Sequence, residues 1–406
     1  MSKHIVIVGG GFGGIRTALD LACKNLKDVK ITLISDKPHF EYYPAIYKAV
    51  IGRSPLEICI QLSDIFKNKK NVEIIIDKIK NVDSVGKKIT GENGAYVYDY
   101  LVLALGSETV FFGIPNIANL AFGFKSINEA VKLNRHIHEM FDAHHENIQK
   151  EELVANLHML IVGGGASGVE IAGELAVYLK KLSKKHGLDP SLATIDIIEA
   201  APRILFALPE QISVHVTKQL RSLGINIFVN RALVNEDLEQ VYMKDMSLKT
   251  KTVIWTAGIK VNSFYKDIPG IVMNKNSRVV VDEFLSAKGL QDIFIIGDAA
   301  DTPYSGLAQT AIYDGGFVSK NLVRKIKGDT LKIYVPKKVS YVVPVGPGWA
   351  AAKIGNFFFY GFFASKLREV IDFMFFLSIL PFKKALFAFQ SGKKMCESCE
   401  TCLKEE

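Results

Sequence analysis

Two stretches of the chain place glycines where a phosphate could sit. One is His4-Ile5-Val6-Ile7-Val8-Gly9-Gly10-Gly11-Phe12-Gly13-Gly14; the other is Ile161-Val162-Gly163-Gly164-Gly165-Ala166-Ser167-Gly168-Val169-Glu170. Each has glycines spaced Gly-x-Gly-x-x-Gly, entered by a short apolar run and left by a helical pattern. That arrangement holds a pyrophosphate. The first glycine (Gly9, Gly163) makes the tight turn, and the second (Gly11, Gly165) lets backbone amides approach phosphate. The third (Gly14, Gly168) lets helix and strand pack closely. Phe12 and Gly13 complete the first loop, and the free N–H groups of each helix start add positive potential. Two such loops in one chain imply two dinucleotides.

Acids belong at the ends of the second strands. In the first unit the strand Lys30 to Ile34 ends in Ser35-Asp36, so Asp36 is the candidate for the ribose hydroxyls. In the second unit Glu199 closes the strand Thr194 to Ile198. A carboxylate there accepts a ribose 2′-OH and repels a 2′-phosphate, although Arg203 nearby could receive that phosphate. The charged insert Lys180 to Pro190 lengthens the interval between Gly163 and Glu199. A third motif is Ile293-Phe294-Ile295-Ile296-Gly297-Asp298, an apolar strand delivering an acid. Glu170 stands in the first turn of the second glycine-loop helix.

The segments that carry these residues follow the order strand, loop, helix, strand, twice. The run Pro38-His39-Phe40-Glu41-Tyr42-Tyr43-Pro44-Ala45-Ile46-Tyr47 then resembles the segment after the second strand in type II NADH:quinone oxidoreductases, two-dinucleotide-binding flavoproteins. The resemblance extends to Tyr98 through Ser107, to Val253-Ile254-Trp255-Thr256-Ala257-Gly258, to Gly297-Asp298 and to Gly306 through Gly315. It implies an α/β fold of two Rossmann-like domains, one for FAD and one for NAD, with a C-terminal amphipathic membrane-associating region. It also implies FAD contacts from Ser35, Gly106, Asp298, Ala308 and Gln309, and NADH contacts from Glu199 and Gly258. Glu170 and Gln309 take the catalytic positions, Glu170 between nicotinamide and flavin and Gln309 at the quinone entry. In the family a second Gln follows Gln309; here Tyr313 and Asp314 stand there.

The expected boundaries are residues 1–113 and 276–330 for the FAD domain and 114–275 for the NAD domain. Residues 331–390 form the membrane-associating region, and 391–406 a flexible Cys-rich tail. Val279 to Asp282 reads as a strand.

Composition narrows the function. With 406 residues, 49% of them hydrophobic, the chain predicts two or three domains with ample core. The first strand follows Met1 so closely that no signal or transit peptide is expected. No cysteine lies between Cys59 and Cys396, so a redox disulfide beside the flavin is not expected and the acceptor takes electrons from the flavin directly. Cys396, Cys399 and Cys402 lack a fourth ligand for a closed zinc site. His136, His138, His144 and His145 do not share a helix face, so no metal site is expected.

The net charge is +8, but residues 320–395 carry 14 Lys+Arg against 3 Asp+Glu. A basic, Phe-rich region suits an anionic lipid surface. It matches no nucleic-acid module. No apolar run reaches the ~20 residues of a membrane span. Together with the resemblance, which implies passage of electrons from NADH through FAD to quinone without proton pumping, these features lead to the expectation of a peripheral enzyme on the cytoplasmic side of the cell membrane. A homodimer is open. An NADH oxidase, a reductase of a soluble carrier and a redox-sensing FAD/NADH-binding protein are the alternatives.

Overall fold

The apolar run before each glycine loop becomes an inner strand of a parallel sheet. In a computed structural model describing residues 2–24, 26–143, 148–237, 240–243 and 245–395, the first sheet has five strands. They run Ile293–Ile295, Tyr100–Leu103, Lys3–Val8, Val29–Ser35 and Val72–Ile76 across the sheet, all parallel. The second sheet has four: Ile225–Val229, Thr194–Glu199, His158–Val162 and Thr252–Trp255, also parallel. Inner strands covered on both faces must be apolar throughout, which is why Ile5 to Val8 and Met159 to Val162 are continuous hydrophobic runs with every residue buried.

Helices leave both loops as the patterns require, Phe12–Ala22 and Ala166–Lys185. The second is longer because the charged insert continues it. In each sheet the glycine-loop strand has neighbours on both sides that connect in opposite directions. A crevice therefore opens at its C-terminal end, the usual ligand position of such sheets. A two-stranded antiparallel ribbon, Ser107–Thr109 with Ile259–Val261, carries the chain between the two sheets. The first sheet is completed only when Ile293–Ile295 returns beside Tyr100–Leu103.

The stretch expected as a strand, Val279 to Asp282, makes only single bridges, from Val279 to Met273 and Ala300 and from Val281 to Ala287. The carboxylate of Asp282 accepts the N–H groups of Phe284 and Ser286, both at 2.9 Å, and turns the chain before a ladder can extend. Ser126 to Lys150 forms two helices, Ile127–Asp142 and Lys150–Leu157.

The C-terminal part is a three-stranded antiparallel sheet, Tyr341–Pro344, Ala350–Ile354 and Phe357–Gly361, followed by helices Phe362–Ile379 and Phe382–Ser391. The aromatic run from Ile354 is thus mostly sheet. Arg368 and Asp372, charged residues within the helix Phe362–Ile379, are buried. Among the described residues no helix is long and apolar enough to cross a membrane. The cluster of Cys396, Cys399 and Cys402 lies outside the described residues, as do His144 and His145.

Candidate functional site

The two glycine loops are built alike. Gly9 has φ +113° and Gly163 φ +110°, conformations that need glycine. Both loops are entered by an N–H bond to the neighbouring strand, Gly9 N to Ile34 O and Gly163 N to Ile198 O, each 2.8 Å. A Cβ on Gly14 would collide with the Gly9 carbonyl, and one on Gly168 with that of Gly163, so helix and loop are in backbone contact. A Cβ on Gly11 or Gly165 would meet nothing within 4 Å. The second glycine of each loop therefore borders open space at a helix N-terminus, and a pyrophosphate fits that cradle. Gly106, with φ +66°, is equally open.

Strand register places the ribose acids. Val8 pairs with Ile34 and Val162 with Ile198, so Ser35 and Glu199 are structural counterparts. Asp36 stands one residue past the strand and is exposed; Ser35 is buried under Gly10, where its hydroxyl accepts the Lys37 N–H at 3.3 Å. Near them Glu41 is buried. Burial opposes its ionisation, but His39 and Lys37, the latter 2.8 Å away, hold its carboxyl below the usual range. Its Oε2 has no hydrogen-bond partner among the described residues.

Glu199 accepts the Gly164 N–H at 2.6 Å through Oε2 and the Ala201 N–H at 2.7 Å through Oε1. This fixes the carboxylate beside the loop, and each oxygen keeps a lone pair for a ribose hydroxyl. Arg203 is committed elsewhere: its guanidinium donates to the carbonyls of Leu205, Phe206 and Leu208, each at 2.9 Å. It braces its own loop. Gly258 is not an open cradle, because a Cβ there would strike the Phe112 ring, 2.6 Å from Cζ.

The Gly297-Asp298 motif is braced from two sides. Gly297 donates its N–H to Asp314 Oδ2 at 3.0 Å, and Tyr334 donates to Oδ1 at 2.7 Å. Asp314 is fully buried, and that burial pushes its carboxyl up to about 6. On the other side the Ser107 hydroxyl donates to Asp298 Oδ2 at 2.5 Å, and Lys125 Nζ donates to Ser107 at 2.6 Å. Ala308 opens the helix Ala308–Lys327, which crosses the first glycine-loop helix at Gly315, 2.9 Å from Thr17 Oγ for a Cβ placed there.

Glu170 sits where the two halves and the C-terminal helix meet. Arg368 lies 3.7 Å from its Oε1. The same guanidinium donates to Asp372 at 2.8 Å, to the Pro44 carbonyl at 2.6 Å and to the Val342 carbonyl at 3.1 Å. Tyr42 donates to Asp372 at 2.6 Å. Burial pushes the Glu170 carboxyl up to about 7, with Arg368 pulling the other way. Burial opposes the charge on Arg368, but Asp372 and Glu170 outweigh it and raise its pKa. Beside this network Phe12 packs edge-on to Phe40 at 4.9 Å and tilted to Phe375 at 5.2 Å, and Tyr42 stacks on Phe375 at 4.9 Å.

Gln309 is exposed, and its amide is exchanged with the backbone of Ser340 at 3.1 and 3.3 Å. Tyr313 donates to the Val335 carbonyl at 3.0 Å. Both tie the segment of residues 330–340 along their helix. His136 and His138 have separate partners, Thr252 and Tyr178.

Sequence reasoning did not bring Arg368, Asp372 and Tyr42 to Glu170, nor Lys125 and Ser107 to Asp298. A signal existed for each. Arg368 and Asp372 are an i, i+4 ion pair inside an apolar helix. Lys125 precedes the sequence Ser126-x-x-Glu129, in which the Ser126 hydroxyl caps the next helix by accepting the Glu129 N–H at 3.2 Å.

A crevice at the head of each of two parallel sheets, with matched glycine cradles, defines a two-dinucleotide oxidoreductase. The chain belongs to the pyridine nucleotide-disulphide oxidoreductase family, which it matches over residues 3–315. It is 27% identical over 339 residues to a type II NADH:quinone oxidoreductase of Staphylococcus saprophyticus, covering 80% of this chain and 83% of that one. It is 26% identical over 383 residues to that of Staphylococcus epidermidis, covering 91% and 94%. The resemblance drawn from the motifs is borne out. The fold is that of NDH2 from Plasmodium falciparum, solved in complex with NADH: TM-score 0.86, 19% identity, covering 98% of this chain and 99% of that one. It is also that of the sulfide:quinone oxidoreductase of Aquifex aeolicus: TM-score 0.77, 20% identity, covering 100% and 96%. Among the described residues no disulfide joins the two cysteines, Cys23 and Cys59.

Proposed function

We propose that this protein is an FAD-dependent NADH:quinone oxidoreductase of the type II, non-pumping kind. The observation that carries the reading is Glu170. It leaves the second glycine loop and lies half-buried against Arg368 of the C-terminal helix, whose other partners include Pro44 and, through Asp372, Tyr42 of the first domain. One carboxyl thus links the NADH cradle, the FAD side and the segment that faces the acceptor.

When bound, the flavin supplies the two-electron chemistry between nicotinamide and acceptor. The chain's residues do the rest. Gly9, Gly11, Phe12, Gly13 and Gly14 hold the FAD pyrophosphate, with Asp298 and Gly106 along the cofactor. Gly163, Gly165, Gly168 and Glu199 hold NADH. Glu170, with its carboxyl near neutrality, holds or releases a proton at the seam, and Arg368 fixes its orientation. The C-terminal helices meet the cytoplasmic surface of the cell membrane, where a hydrophobic quinone is available. Residues 1–113 and 276–330 form the FAD domain and 114–275 the NAD domain.

The test is oxidation of NADH by the purified flavoprotein, with and without a soluble quinone, in air and under nitrogen. Anaerobic turnover that requires quinone supports the reading. Turnover only in air makes the protein an NADH oxidase, a reading favoured by Gln309 and Tyr313 being tied to the backbone of residues 330–340. A stable reduced complex without turnover makes it a redox sensor.

A further inference from the structure

We propose that Lys125, from the NAD side of the molecule, is a positioning residue for the FAD cofactor, acting through Ser107 on Asp298. The inference rests on the flavoprotein reading above and adds a residue from outside the FAD domain to its binding site.

Lys125 belongs to the NAD side by its backbone. Phe122 donates its N–H to Val253 and accepts that of Trp255, both at 2.8 Å, so the segment leading to Lys125 extends the edge of the second sheet. Glu129, in the first turn of the next helix, reaches back and accepts the Lys125 N–H at 2.6 Å. The main chain at Lys125 is therefore fixed from both directions. Its side chain leaves this domain. Nζ donates to the Ser107 hydroxyl at 2.6 Å, and that hydroxyl spends its own proton on Asp298 Oδ2 at 2.5 Å. Ser107 lies on the ribbon between the sheets and Asp298 in the first sheet's returning segment, so three parts of the chain converge on one carboxylate.

The direction of the donors sets the chemistry. Ser107 can donate only one proton, and the ammonium of Lys125 directs it at Asp298 by occupying a lone pair of the hydroxyl. That bond orients the carboxylate and leaves Oδ1 to accept a hydroxyl of the cofactor's ribityl chain. The ammonium also offsets the negative charge that Asp298 would otherwise present to the FAD phosphates. Burial pushes the Lys125 ammonium down, and the carboxylates of Asp298, Glu129 and Glu108 support its charge. Without the lysine, Ser107 is free to turn away, and Asp298 loses both its orientation and its counter-charge.

The measurement is FAD affinity, by titrating flavin-stripped full-length protein with FAD and following flavin fluorescence. Lys125→Met is expected to weaken FAD binding about tenfold. Lys125→Arg, which keeps the charge and the donors, is expected to recover most of the loss. Ser107→Ala should cost about as much as Lys125→Met, and the double variant little more than either, because the two act in series. Binding of NADH to the stripped variants, unchanged from wild type, shows that the second sheet is intact. Wild-type affinity in Lys125→Met, or additive losses in the double variant, would overturn the proposal. Should Lys125→Met not fold, equal affinities in Ser107→Ala and wild type would overturn it as well. Wild-type protein that takes up no FAD would overturn the flavoprotein reading together with this one.

Discussion

Glu199 borders the second glycine loop, the proposed NADH cradle, with its carboxylate already held by two backbone amides, so it cannot swing aside for a phosphate. The protein is expected to use NADH in preference to NADPH by kcat/KM. Glu199→Ser should narrow that preference about tenfold, or ~1.4 kcal/mol. Arg203→Ala should leave the ratio unchanged, because its guanidinium serves three carbonyls of its own loop. Steady-state kinetics with both nucleotides decide; a wild type that prefers NADPH contradicts the role of Glu199. Glu170 carries the pH dependence. Its pKa rises from 4.5 to about 7 on folding, so the folded state holds its proton more tightly than the unfolded chain. The resulting stability is complete below pH 4.5 and is lost as pH climbs through about 7, by no more than about 3 kcal/mol. Glu170→Gln should flatten that part of the Tm–pH profile, keep FAD, and slow either reduction of the flavin by NADH or its reoxidation by quinone. Stopped-flow traces matching wild type in both half-reactions would remove Glu170 from the mechanism. Glu199 and Glu170 were legible in the sequence because each is fixed by a local motif. The partners of Glu170 were not, because Arg368 and Tyr42 come from remote segments and no local spacing relates them.

The helix Phe362–Ile379 is turned inside out for a helix on a water-facing surface. At 100° per residue, Ala364, Arg368, Asp372, Phe376 and Ile379 share one face, and that face is buried. Phe363, Val370, Met374 and Leu377 share the opposite face, and all are exposed. The inward charges are accounted for by partners: Arg368 spends its donors on Asp372, Pro44 and Val342, and Tyr42 donates to Asp372. Arg368→Met removes a cation and leaves Asp372 and two carbonyls without their donor. We expect a loss of about 3–5 kcal/mol in urea unfolding, the scale for breaking a buried ion pair. Arg368→Lys should recover only part of it, since one ammonium cannot follow the planar fork. Wild-type stability in Arg368→Met would mean that the helix is held by its apolar contacts alone. At this scale the sequence was readable where apolar pattern and glycine spacing coincide, as at both glycine-loop strands and their helices. It misled at Val279 to Asp282, where three consecutive valines look alike whether they form a ladder or single bridges. It also left the inverted helix unread, because an apolar stripe seen in sequence does not say which way it faces.

The whole molecule gathers its basic charge and its exposed aromatic rings in the same C-terminal part, and that pairing governs how it should meet a membrane. Phe357, Phe362, Phe363, Phe382 and Phe387 are all more than half exposed, Phe363 at 81%. Inserting such a ring into lipid gains about 2 kcal/mol. A basic residue near an anionic surface adds about 1 kcal/mol, screened by salt. Several of the local cations are already paired, Lys384 with Asp64 and both Lys366 and Lys393 with Glu369, whereas Lys383 and Lys394 are exposed. The apolar term should therefore dominate. Salt is expected to release the protein from anionic vesicles only in part, and detergent to release it fully. Truncating the region would be a poor test, since Arg368 and the strand beside Ala350–Ile354 would go with it. Substitution on the outward stripe avoids this. Phe363→Glu combined with Met374→Glu should leave FAD bound and NADH oxidation by a water-soluble acceptor intact, while turnover with quinone held in vesicles falls. Flotation with anionic liposomes at low salt should carry wild type to the top of the gradient and leave the double variant below. If wild type also stays below, the stripe is covered by something other than lipid, and a contact between two copies of the chain becomes the explanation for an apolar surface of this kind.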